Sequence, residues 1–374
     1  MAYLLMELGV RPPSVSVPSF KRTACAALRG GADERRVRAA PGPPAELRWD
    51  GELQELRQLV RERGGWTTPH LRLQDPAPSS GVRGLVATRD LAPGSPILVA
   101  PPSLFISATS AAEAINAHLD SPRAGLLQDK EALALYLALE RSAAAQGASP
   151  LRAYLALLPH EPSTPWRDWQ GGCEDPAALA ASVPRELAGR MDEKGWAAAV
   201  EAHRDGVEAR LKRMAAVCRK RAHVARGDML WGLEMVMSRA FRPWPGAEAA
   251  LIPYLDLLNH SDARAADGAP DPASRRESAT RPAPLAKLLG EPEEVANAIR
   301  AARGVGCTEA ADAADAAQAS GPVFALTIQR TAADVSTAGL RAGEEAIYDY
   351  GDWRSREAND DDRERAARFL ACGF

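Results

Sequence analysis

The sequence predicts an α+β protein in which a large helical insert interrupts a β-fold of short strands. Three observations carry that expectation. Short extended stretches bounded by turn residues occur in GLVATRDL, PGSPILVAPP and LFIS, and again in VFALTIQR and EAIYDYG. The segments between the two groups have helical periodicity instead, an order that suits α+β rather than alternating βα units. Hydrophobic residues make up 46% of the 374, enough for a sizeable core.

Composition narrows the function classes. A net charge of -3 gives no general electrostatic footprint for nucleic acid or an acidic membrane surface. No window approaches the roughly 18–20 apolar residues that span a bilayer, so no membrane partner is expected. The five cysteines, Cys25, Cys173, Cys218, Cys307 and Cys372, are scattered and form no C-x-x-C pair. Neither a zinc cage nor a disulfide framework is suggested, and a reducing compartment is expected. The wealth of Ala, Gly, Pro and Arg reads as codon bias, which weakens inference from Ala-rich runs.

Residues 1–45 differ from the rest: Arg11, Lys21, Arg22 and Arg29 stand against one acid, Glu7, in the first 31 positions. That is the composition of a transit peptide, with Val37-Arg38-Ala39-Ala40 as a processing site; the alternative is a disordered tail. The ordered domain is expected over 46–374. GELQELRQLVRERGG places Leu53, Leu56, Leu59 and Val60 on one helical face, with Gly64-Gly65 as the stop. A helical insert is expected over about 107–240. Within it, Asp129 is read as the cap of a helix carrying Leu133, Tyr136, Leu137 and Glu140 on one stripe. A long helical zone follows from Gly195, and then a helix with Leu230, Leu233, Met237 and Phe241 on one face. Residues 262–320, poor in large apolar residues, read as a low-complexity insertion, partly disordered or a loose surface helix.

The stretch LIPYLDLLNHS raises the functional question, because an apolar, strand-like run ends in Asn259 and His260. Three other pieces accompany it: Gly81-Val82-Arg83-Gly84-Leu85, Ser238-Arg239-Ala240-Phe241, and Tyr348-Asp349-Tyr350-Gly351. Taken singly these have ordinary readings: a turn, a helix C-terminus that serves the dipole, a buried hydrogen-bonding pair and a packing aromatic.

In order, they resemble the SET-domain methyltransferases, specifically the class of plant Rubisco large-subunit lysine methyltransferases. The carrying segments are GVRGLVATRDLAPG, AYLALLP with Trp166 and Trp169 after it, WGLEMVMSRAF, PYLDLLNHS and GEEAIYDYG, spread over about residues 50–374. The resemblance implies a SET-domain β-fold with a knot-like C-terminal region and S-adenosylmethionine as cofactor. It implies that Asn259 and His260 hold the adenine and methionyl amine. Arg239, with its fixed fork of charge, would take the cofactor carboxylate. Val82, Arg83 and Gly84 would let the cofactor approach their backbone. Tyr350 would be catalytic, its phenol orienting an acceptor amine. Tyr348, two residues away, would point to the opposite face. No metal is implied.

The implied activity is methylation of lysine on a non-histone protein, with the Rubisco large subunit or another plastid enzyme as candidate substrate and the chloroplast as location (the cytoplasm otherwise). The alternatives are histidine methylation and a non-catalytic SET-like binding module. Against the family pattern, Cys372 in Ala371-Cys372-Gly373-Phe374 replaces an aromatic and Pro243 replaces a basic residue, and the family's C-terminal substrate-binding domain is expected to be absent.

Overall fold

The computed structural model describes residues 49–75, 77, 83–120, 122–160, 193–218, 224–244, 246–260, 284–302, 304, 306–317, 321–328 and 339–348. All belong to one compact unit, Pro41–Phe374.

Helix α1 (Asp50–Glu62) buries Leu53, Leu56 and Val60 on the predicted face, and the chain leaves it through Gly64 at φ +77°. Arg57 shares that face, and its guanidinium donates to the Leu71 carbonyl, tying α1 to the next strands. Strands β1 (Trp66–Thr67), β2 (Leu71–Gln74), β3 (Gly84–Ala87), β4 (Pro96–Ala100) and β5 (Ile106–Ser107) follow.

Helices then occupy the chain between β5 and β6 (Ala250–Leu251) among the described residues: α2 (Ala108–Leu119), α3 (Asp129–Ala144), α4 (Arg152–Leu157), α5 (Glu193–Cys218) and α6 (Arg226–Arg239). Asp129 does not cap α3, as its sequence position suggested. It is the first helical residue, and the Glu131 carboxylate accepts from the Gln128 backbone N–H at 3.2 Å instead. Every residue of α6 from Met229 to Val236 is buried, so the single stripe read from the sequence understates a helix covered all round. The approach of α6 to α3 depends on Gly232, where an added Cβ would lie 2.3 Å from the Ala134 carbonyl oxygen.

Residues 251–258 are buried as expected, but the LIPYLDLLNHS stretch is not one strand. The chain turns at Tyr254 (φ +83°), makes a 3-10 turn over Leu255–Leu257, and only then enters β7 (Asn259–His260). Left-handed backbone at a tyrosine is costly, and full burial of the ring holds it.

Residues 284–317 correct the expectation of a loose insertion. They form β8 (Pro284–Gly290) and a helical hairpin, α7 (Pro292–Ala302) and α8 (Cys307–Ala316). The hairpin packs Val295, Ala296, Ile299, Ala310, Ala311 and Ala314 against Val99 of β4 and against Val323 and Ala325 of β9 (Val323–Ile328). Leu98, Ala100, Phe324, Leu326 and Ile328 alternate to the other face and join the main core. With both faces covered, β4 and β9 are buried at every position, which explains their continuous apolar runs. Small alanine side chains suffice because the helices lie close to each other and to the sheet.

The last described strand, β10 (Ile347–Tyr348), completes a six-stranded sheet in the order β1-β4-β9-β8-β10-β7. Two two-stranded sheets, β2-β3 and β5-β6, flank it. No helix among the described residues is long and apolar enough to cross a membrane.

Two glycines of α6 give opposite expected outcomes. Gly232→Ala forces the α3 backbone away and should cost about 1–3 kcal/mol. Gly227→Ala meets nothing within 4 Å and should stabilise by up to about 1 kcal/mol through helix propensity. Urea denaturation of the two variants checks the helix contact; equal effects would contradict it.

Candidate functional site

The site is built where three distant stretches of backbone are laced together. Residues 340–346 bond to the β3 region through Ala87 N to Glu344 O (2.8 Å), Gly343 N to Ala87 O (2.8 Å), Ala346 N to Leu85 O (2.8 Å) and the reciprocal Leu91–Leu340 pair. Directly after this, β10 runs parallel to β7 and β8, with Ile347 opposite Asn259 and Tyr348 opposite His260. The late segment is thus threaded between the β3 region and the Asn259-His260 strand.

One side chain locks the crossing. Asn259 Nδ2 donates to the Arg83 carbonyl (3.0 Å) and to Glu345 Oε1 (2.7 Å). Glu345 has no exposed surface, so the amide supplies a hydrogen bond that its carboxylate needs. Gly84 lies against both groups: a Cβ there would come within 2.5 Å of Asn259 Nδ2 and of Glu345 Oε1. The structure therefore gives this glycine a requirement of its own, space for the amide–carboxylate contact, apart from the ligand approach inferred from sequence. Both N–H bonds of the Asn259 amide are committed within the protein. Within the six-stranded sheet, β7 is the terminal strand and pairs with β10.

A charged cluster lies beside this crossing. Arg239 ends α6; its Nη1 donates to Ser238 Oγ (2.7 Å), while its Nε is buried without a hydrogen-bond partner among the described residues. Arg83 lays its guanidinium over the Trp49 ring (5.2 Å) and donates to the Leu157 carbonyl. Burial, and then the neighbouring Arg239 charge, push the Arg83 guanidinium below its ordinary pKa. Asp256, in the 3-10 turn before β7, accepts from the buried Tyr154 hydroxyl through Oδ2, and its Oδ1 has no partner among the described residues. Burial pushes the Asp256 carboxyl up to about 6, although Arg239, Tyr154 and Arg83 all pull it down.

Of the residues singled out by sequence, the structure brings together Arg83, Gly84, Asn259 and the His260 backbone, with Arg239 electrostatically coupled to Arg83. Val82 and the catalytic candidate Tyr350 lie outside the described residues, as does Cys372. Tyr350 follows two residues after Tyr348, which pairs with His260. Sequence reasoning passed over Asp256, Tyr154 and Glu345 as motif filling. The available signal was an acid inside an apolar run, Leu255-Asp256-Leu257, where a carboxylate has to be paired or put to use. Among the described residues no group of three or more His, Cys, Asp or Glu side chains could hold a metal ion.

The Asp256 carboxyl sets a pH dependence of stability. Its native pKa of about 6 lies above the ordinary aspartate value, so between the two the folded chain holds a proton that the unfolded chain has released. Stability should fall as pH rises through that window and level off above it. Asp256→Asn should abolish the slope and stabilise the protein at pH 7 by on the order of 2–3 kcal/mol. Denaturant titrations at several pH values check this, and a less stable variant at pH 7 would contradict it.

No protein-family model matches the chain, and no curated protein matches it in sequence. Solved structures do. The SET domain of LSMT bound to lysine and AdoHcy is similar with a TM-score of 0.51 and 18% identity, over 87% of this chain and 58% of that one. Rubisco LSMT bound to AdoMet is similar with a TM-score of 0.50 and 18% identity, over 86% of this chain and 56% of that one. The chain thus spans rather more than half the length of these structures. The chain has the SET-domain fold.

Proposed function

We propose that the chain is an S-adenosylmethionine-dependent protein-lysine N-methyltransferase acting on a non-histone protein. The observation that carries this reading is the parallel pairing of β7 with β10, which sets Asn259-His260 beside the strand leading to Tyr350. Fold similarity to structures that contain AdoMet, AdoHcy or lysine supports it.

The residues fit such a cofactor. The unpaired Nε of Arg239 suits a carboxylate, since guanidinium charge is fixed and its donors are directional. Asn259-His260, on the terminal strand of the sheet, would hold the adenine. When bound, S-adenosylmethionine supplies a methyl group on a sulfonium, open to in-line attack by a neutral amine.

The protein's part is to deliver that amine unprotonated and aligned. A lysine at its ordinary pKa of about 10.4 is mostly ammonium at pH 7. An apolar approach channel disfavours the charged form, and a nearby cation disfavours it further. The Tyr350 phenol would orient the amine lone pair, and alignment of this kind contributes much of the rate. The basic, acid-poor segment before residue 45 supports a plastid destination, and so a plastid protein, the Rubisco large subunit among them, as substrate.

Incubation with labelled S-adenosylmethionine and a plastid extract should label discrete protein bands, and acid hydrolysis should release methyl-lysine. Tyr350→Phe should lower labelling by about a hundredfold or more while cofactor affinity holds. Cofactor binding with no labelled protein in any extract would overturn catalysis, and methyl-histidine in the hydrolysate would overturn the lysine assignment.

A further inference from the structure

Lys287 of β8 carries a charge that no neighbour balances. The residue is exposed, yet its ammonium turns back onto the protein. It donates to the Pro243 carbonyl and lies 5.4 Å from the centre of the Phe324 ring. No acidic side chain pairs with it among the described residues. Burial lowers its pKa, and neither a carboxylate nor another cation acts beside that effect. A lysine used only to cover apolar surface extends its head into water instead. Here one N–H meets a carbonyl, and the other donors remain for an acceptor that the described residues do not supply.

Its position ties this cation to the proposed transfer site. Pro243 lies four residues beyond Arg239. Between them, the ring of Phe241 meets the same Phe324 ring with centroids 5.9 Å apart. On the sheet side, β8 runs parallel to β10, with Leu285 opposite Tyr348. Lys287 stands two residues after Leu285 in the chain, as Tyr350 stands two after Tyr348. The ammonium is thus held against the segment that follows α6, on a strand beside the one that leads to the candidate catalytic tyrosine.

A single cation of this kind suits a single carboxylate. A phosphate or a nucleic-acid backbone is met by several cations or by a guanidinium fork, and no second cation acts on Lys287. Leu289 shares its face of β8 by strand alternation and is 38% exposed, an apolar neighbour that a peptide can cover.

We propose that Lys287 is a specificity-determining residue that selects protein substrates with Asp or Glu close to the target lysine. The inference rests on the methyltransferase reading above and narrows its substrate class. The substrate carboxylate takes the open donors of Lys287 and holds the flanking residue beside β8 while the target lysine enters the site.

The test uses the full chain, labelled S-adenosylmethionine and three pools of synthetic peptides. Each peptide has one lysine among otherwise varied neighbours, with a fixed Asp, Asn or Arg within three residues of it. The wild type should label the Asp pool with a kcat/KM about 5- to 20-fold above the Asn pool, the gain residing in KM, as a partly exposed charge-assisted contact gives. In Lys287→Met the ratio should fall below about twofold, and Lys287→Arg should keep most of it. Lys287→Glu should favour the Arg pool over the Asp pool, a reversal that loss of folding cannot produce. Equal labelling of the Asp and Asn pools by the wild type, no labelling of either included, overturns the proposal. An undiminished preference in Lys287→Met overturns it as well. The methyltransferase reading fails separately, if a plastid extract also yields no labelled protein.

Discussion

The backbone between Leu340 and Tyr348 is hydrogen-bonded to two separate parts of the chain, and the site depends on that double pairing. The β3 region claims Leu340, Gly343, Glu344 and Ala346, and β7 and β8 claim Ile347 and Tyr348. Leu340 and residues 345–347 are buried, and buried backbone has to satisfy its polar groups, which the lacing helps to do. Gly84, Asn259 and Glu345 meet there at distances that admit no Cβ. The strands concerned are far apart in sequence, so this closure depends on long-range contacts and is expected to be a slow part of folding.

Around the crossing, stability and function pull against each other. Most of the interior is apolar and closely packed, down to the alanine-lined hairpin of α7 and α8. Asp256 is one of several buried charged groups, a carboxylate held in the core near two guanidiniums without a direct ion pair. Buried charge of this kind disfavours folding unless it is fully paired, and proteins keep such groups chiefly where binding needs them.

Much of this was legible from sequence. The α1 stripe of Leu53, Leu56 and Val60, the apolar run of β9 and the helices after β5 follow from periodicity and turn residues alone. The Asn259-His260 and Tyr350 motifs pointed to a convergence; β7 pairs with β10 up to Tyr348, and Tyr350 lies outside the described residues. What was not legible has physical reasons. Alanines that discriminate poorly between a loose surface helix and a tight one hid the α7–α8 hairpin, whose partners are supplied by β4 and β9. The Tyr254 turn was invisible because a left-handed tyrosine is held by burial, not by local preference. Gly84 and Asp256 answer to neighbours from elsewhere in the chain, which no local pattern records.

The most direct measurement is a crystal structure of the chain grown with S-adenosylhomocysteine and lysine. The account predicts the ligand's carboxylate at Arg239, its adenine at Asn259-His260, and the Tyr350 hydroxyl facing the lysine amine. A Tyr350 hydroxyl remote from that amine, or a ligand bound away from Asn259-His260, would contradict it.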